Sequence, residues 1–190
     1  MPNDLDVMAS KAGVYQAQGN LREAAKFLTE INPQTLSEDT FRIKLTQLRL
    51  ERNYGEAIRL LRARQAQFHF ASNYEKAFDQ AALGMIQRLA GDTAGAKVTA
   101  EQARDTLNAL WRNQPENAYV VEVLSLANAT LGEKEAALKL AESAIRLVPR
   151  AQDAMGGPGF EENLALIQTI FEENSHGLTY ITFCYTRTIG

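Results

Sequence analysis

Apolar and polar positions alternate along this chain with a helical period, and the pattern repeats. Leu83 to Ala96 reads LGMIQRLAGDTAGA and Leu124 to Ala137 reads LSLANATLGEKEAA. In each, a leucine leads to a small residue, an apolar helix face, a glycine and then an alanine. Tyr15 to Ala24, YQAQGNLREA, and Leu48 to Ala57, LRLERNYGEA, carry the same order. A weaker fifth copy, Ala165 to Gly177, puts Glu172 in the place of the turn glycine and Gly177 in the place of the alanine. Such self-similarity at a period of a few tens of residues is the mark of stacked supersecondary units.

Each copy predicts one helix, a tight turn and a second, antiparallel helix. The turn glycine takes a left-handed conformation at little cost and ends the first helix. Asp92, next to Gly91, is an expected N-cap, and Ser72 with Glu75 forms an expected capping box. Pro33, Pro115, Pro149 and Pro158 are expected between hairpins, because inside a helix each would remove a hydrogen bond. The predicted fold class is all-α, one domain over 1–190 with hairpins near 4–32, 37–70, 73–113, 116–148 and 159–186.

Small residues recur where two antiparallel helices would cross: Ala12, Gly84, Ser125 and Ala165 in first helices, Ala24, Ala57, Ala96 and Ala137 in second helices. With the turn glycines Gly19, Gly91 and Gly132, and with Tyr15, Tyr54, Ala144 and Pro149, they resemble the tetratricopeptide repeat (TPR) over nearly the whole chain. That resemblance implies a right-handed superhelical array of about five hairpins. Spacing departs from the family's 34 residues: successive second-helix positions lie 33, 39, 41 and 40 apart. The later repeats are therefore longer.

Composition agrees with helix. The 190 residues include 28 Ala and 22 Leu but only 5 Pro, and alanine and leucine are strong helix formers. No apolar run approaches the ~18 to 20 residues of a membrane span. The opening Met1-Pro-Asn-Asp-Leu-Asp has no basic region before an apolar stretch, so the cytoplasm is the expected compartment. A formal charge of −3 argues against nucleic acid as partner, since phosphate contacts call for a basic surface.

Catalytic chemistry finds few residues to work with. Two histidines, His69 and His176, form no metal-protease motif, and the single Cys184 has no Cys-x-x-Cys partner. His69 is expected at a helix end, in a packing or helix-dipole role. Gly156-Gly157-Pro158-Gly159 lacks the Lys-Ser/Thr of a phosphate loop and reads as a flexible connection. The pairs Glu161-Glu162 and Glu172-Glu173 diverge around a helix and are expected in solvent. We therefore expect no enzyme, no cofactor and no metal.

The resemblance implies that first helices line a concave face that binds a peptide or protein. The family's groove-facing positions fall on Gln16, Arg42, Thr46, Arg49, Met85, Arg88, Tyr119, Glu122 and Leu126. The Lys and Asn with which some relatives clamp a chaperone's C-terminal carboxylate are replaced here by Ala9 and Gly13, which disfavours that ligand. Residues 1–70 carry ten Lys or Arg against eight Asp or Glu, and residues 71–190 ten against fifteen. Six arginines lie between Arg42 and Arg64, which makes an acidic partner segment at Arg42, Arg49 and Arg88 one reading and ordinary solvated helix faces the other.

The last stretch is the reverse of the polar cap that an end repeat needs. Leu178 to Ile189 is rich in β-branched and aromatic residues although a helix is due there. A helix through about Phe183 is the expectation, with an extended, paired segment or the truncated or altered end of a longer array as the alternatives, and the apolar surface makes this end a candidate homodimer contact. Residues 157–175 look like the closing region of helical-repeat halves of bacterial signalling proteins that carry a Ser/Thr kinase or winged-helix domain. Two functions are thus expected: a scaffold module for protein binding, or the sensor module of a larger bacterial signalling protein.

Overall fold

A computed structural model describes residues 4–154 and 156–171. Among them are nine α-helices and no strand: α1 (Leu5–Ala17), α2 (Leu21–Lys26), α3 (Glu38–Leu50), α4 (Tyr54–Gln67), α5 (Asn73–Leu89), α6 (Thr93–Asn113), α7 (Ala118–Leu131), α8 (Lys134–Leu147) and α9 (Gly157–Phe171). The second half of the fifth hairpin, including the helix expected through Phe183 and the apolar end at Leu178 to Ile189, lies outside the described residues.

Four turns are built alike. Gly19, Gly91 and Gly132 take φ of 72°, 86° and 87°, and Arg52 takes 55° at the equivalent place in the second copy. The next residue then donates its backbone N–H to a carbonyl five positions back: Asn20 to Tyr15, Asn53 to Leu48, Asp92 to Gln87 and Glu133 to Asn128, at 2.8 to 2.9 Å. This bond satisfies a helix-end carbonyl that has no intrahelical donor. Asn20, Asn53 and Asp92 then cap the second helix by accepting from the N–H of Glu23, Glu56 and Gly95. Glu133 makes no side-chain cap bond.

Five residues beyond each left-handed position sits a buried alanine: Ala24, Ala57, Ala96 and Ala137, none more than 1% exposed. Ala12, Gly84, Ser125 and Ala165 are buried on the facing helices, and Leu45 takes that position in the second hairpin. A Cβ on Gly84 would meet the backbone of Ala96 and Ala100 at 3.3 Å. Helices that approach so closely leave no space for a larger side chain.

The described residues pack as two compact units that divide between His69 and Phe70, where the sequence pattern suggests one continuous domain. In the first unit, α1 and α2 form a hairpin and both pack on α3, which turns into α4. Gln16 on α1 donates to the Ile43 carbonyl and to Gln47, and Gln47 donates to the Leu21 carbonyl. Arg64 on α4 is 2% exposed. Its guanidinium lies 4.2 Å and 3.7 Å from the ring centres of Phe41 and Phe68. It also donates to the carbonyls of Pro33 and Thr35, which pins the loop between α2 and α3.

The second unit stacks α5–α6 on α7, and α7–α8 on α9. Ala77, Ala81, Ala103 and Leu107 meet Val120, Val123, Leu124 and Ala127 in one apolar cluster. Phe160 and Ile167 of α9 close the next two clusters against α7 and α8. Asn163 links α9 to α7 by donating to the Ser125 hydroxyl at 2.9 Å.

Three local expectations are corrected. Pro158 lies in the first turn of α9 and not between helices, where its missing N–H is not needed by the helix. The glycine run is no loose connection: Gly157 begins α9 so close to Arg150 that a Cβ would lie 2.5 Å from the Arg150 Cα. Glu161 pairs with Arg150 at 2.6 Å and its side chain is 31% exposed. In the Ser72 capping box, Glu75 reaches back to the N–H of Ala71 while its own N–H is capped by Ser72.

Candidate functional site

The nine side chains assigned to a binding face divide by burial. Arg42, Thr46 and Arg49 are partly exposed and lie four and three residues apart on α3, which puts them on one side of that helix. This side is turned away from Thr40 and Gln47, the residues that meet α1. Arg42 stands 3.9 Å from Asp39 in an exposed pair, an arrangement that contributes little to stability. Two guanidinium groups and a hydroxyl along one stripe form a set of donors suited to carboxylates.

Gln16 does not reach this stripe. It is buried, and its amide is used between α1 and α3. The family position was transferred by register, but here the side chain works as a clasp between first helices.

In the second unit Met85, Glu122 and Leu126 are buried, at 6%, 9% and 9% exposure. The reason is packing: α5 and α7 lie against each other, and α7 is covered again by α9. Arg88 crosses from α5 to donate to the Thr130 carbonyl of α7 at 2.9 Å. Tyr119 alone among the assigned residues of α7 keeps an open face, 47% exposed, with its ring 5.4 Å from that of Phe160. Phe160 and Asn163 were not assigned from the sequence. Their signal was present, since they stand 40 positions after Val120 and Val123, at the spacing of the repeat.

Asp6 and Glu56 are shifted by hydrogen bonds from their neighbours. Hydrogen bonds from Thr40 and Ser37 hold the Asp6 carboxyl below the usual carboxylate range. Glu56 is lowered and Arg59 raised by their mutual hydrogen bonds. Among the described residues no three His, Cys, Asp or Glu side chains gather as a metal site. No helix of the described residues is long and apolar enough to cross a membrane. His69 is exposed just beyond the end of α4, while His176 and Cys184 lie outside the described residues.

The chain matches no protein-family model and no curated protein sequence.

Proposed function

We propose that this chain is a TPR-like, non-catalytic interaction module that binds an extended protein or peptide segment along its first helices. The right-handed coiling of such repeats belongs to the same reading. The observation that supports it is the fourfold recurrence of one hairpin turn, a left-handed residue with a buried alanine five positions on, and, within each unit, first helices that pack on one another. Repetition of this kind sets neighbouring helix faces of a unit in register, and such faces serve as binding surfaces.

The contact residues on this reading are Arg42, Thr46 and Arg49 in the first unit and Tyr119 in the second. The arginine pair suits acidic side chains in the partner, and Tyr119 offers an aromatic surface for an apolar one. The module acts in the cytoplasm and needs no cofactor.

The test is affinity capture from the source cell with wild-type chain, an Arg42→Ser/Arg49→Ser double variant and Tyr119→Ala. A partner retained by wild type and lost by these variants, all with unchanged melting temperature, supports the reading. Retention by every variant removes the first-helix face as the site. Affinity for the captured partner falls as salt is raised if the arginines meet acids.

A further inference from the structure

α3 carries Asp39, Arg42, Thr46 and Arg49 along one side, at steps of three, four and three residues. No apolar side chain stands on this stripe. The Arg42 side chain is 35% exposed, and its pair with the 91% exposed Asp39 is loose at 3.9 Å. Thr46 differs from the other threonines within helices. Thr106, Thr130 and Thr169 each donate to the carbonyl four residues back, and Thr40 and Thr99 donate to the side chains of Asp6 and Gln87. The Thr46 hydroxyl makes no hydrogen bond among the described residues. It stands between two guanidinium groups with a donor to offer.

The spacing of the stripe favours one backbone form in the occupant. Seven residues of helix separate Arg42 from Arg49, a rise of about 10.5 Å. A polypeptide in the polyproline II form has three residues per turn, so its side chains at i and i+3 lie on one side about 9.3 Å apart. The long arginine side chains take up the difference. A β-strand fits worse, since its same-side neighbours fall about 6.6 Å apart at i, i+2 and about 13 Å apart at i, i+4. A helix with acids at i, i+7 matches the rise, but a docking helix buries an apolar face, and the stripe offers none in return. Helix carbonyls are also bonded internally, whereas those of polyproline II are solvated and accept from outside.

We propose that the stripe selects an acidic segment in polyproline II conformation with two carboxylates three residues apart. One carboxylate meets Arg42 and the other Arg49, each through paired N–H donors. A backbone carbonyl between them accepts from the Thr46 hydroxyl. This rests on the reading of Arg42, Thr46 and Arg49 as contact residues and adds what they select. Nowhere in the 190 residues do two Asp or Glu stand three positions apart. Neither a second copy of this sequence nor its own acidic residues supply the pair, so the occupant is a segment of different sequence.

The test titrates the full chain with fluorescein-labelled peptides of equal charge and reads anisotropy. The peptides hold Asp-Pro-Pro-Asp, Asp-Pro-Asp or Asp-Pro-Pro-Pro-Asp, each flanked by prolines. The expected result is binding of the three-residue spacing at least about fivefold tighter than of either other. Arg42→Ser or Arg49→Ser, with unchanged melting temperature, removes that preference, because one guanidinium cannot read a distance. Thr46→Val weakens the preferred peptide about threefold and leaves the preference in place. Asp39→Ser takes away a competing carboxylate and tightens binding. Equal affinity for the three spacings, lost in the arginine variants, overturns the proposal and leaves the contact stripe standing. Absence of binding by every peptide at millimolar concentration overturns the stripe and the proposal together. Tighter binding of an alanine-rich helical peptide with Asp at i and i+7 also overturns the proposal, because the occupant is then a helix.

Discussion

A methyl group on Gly84 would lie 3.3 Å from the carbonyl oxygen of Ala96 on the neighbouring helix. The same crossing recurs with Ala57 and Ala137, both with no exposed surface. Gly84→Leu, Ala57→Leu and Ala137→Leu should each lower stability by roughly 1–3 kcal/mol through overpacking. Ala63→Leu, at a half-buried position of α4, should cost much less. Urea unfolding of the four variants checks this, and equal midpoint shifts would contradict the crossing geometry.

Arg52 occupies the left-handed turn at φ 55° that glycine fills in the other three hairpins. A side chain there costs energy that glycine does not. Arg52→Gly should stabilise the first unit by about 0.5–1 kcal/mol, whereas Gly91→Ala should destabilise the second by about 1 kcal/mol. A loss of stability in Arg52→Gly would mean that the guanidinium makes a contact worth more than the strain.

Arg64 is held between Phe41 and Phe68 and bonds the carbonyls of Pro33 and Thr35. Arg64→Met keeps much of the bulk but leaves those carbonyls without this donor, so a loss of roughly 2–3 kcal/mol is expected. Arg64→Lys should recover less than half, because an ammonium cannot reproduce the planar stack and paired donors. Limited proteolysis should show cleavage in residues 27–37 rising in both variants.

Asp6 accepts hydrogen bonds from Thr40 and Ser37, and these lower its pKa. A group with a depressed folded pKa contributes stability that is present above the unfolded value, about 4, and lost as pH falls through the folded value. Wild type should therefore exceed Asp6→Asn in melting temperature at pH 7, and the gap should close as pH falls below the unfolded value and through the lower folded one. Because Asp6 is exposed, the gap should be small. A gap that does not shrink on acidification would assign the effect to packing and not to ionisation.

Four of the assigned side chains are buried for one physical reason. Gln16, Met85, Glu122 and Leu126 stand at positions that face a groove in the resembling family, yet here they are buried. A register says which residues share a helix side; it does not say how near the next helix lies. The approach of α9 to α7 decides the burial of Leu126 and Glu122, and it depends on contacts such as Asn163 to Ser125, 38 residues apart in the chain. The glycine run at 156–159 was misread similarly, since only the fold shows Arg150 lying against Gly157.

Local chemistry was legible because it acts within a few bonds of itself. The turn at Gly91, its cap at Asp92 and the alanine at 96 need only their own neighbours, so they are written as a repeating string and the all-helical hairpins follow from it. Arg52 hid in that string because a non-glycine residue can be forced left-handed by the bonds around it, Asn53 to Leu48 among them. Exposure is another matter. Val7 and Val120 are the same residue type at the same repeat position, yet one is 49% exposed and the other 3%. What separates them is whether a preceding hairpin lies against the helix, a long-range packing outcome that neither valine encodes.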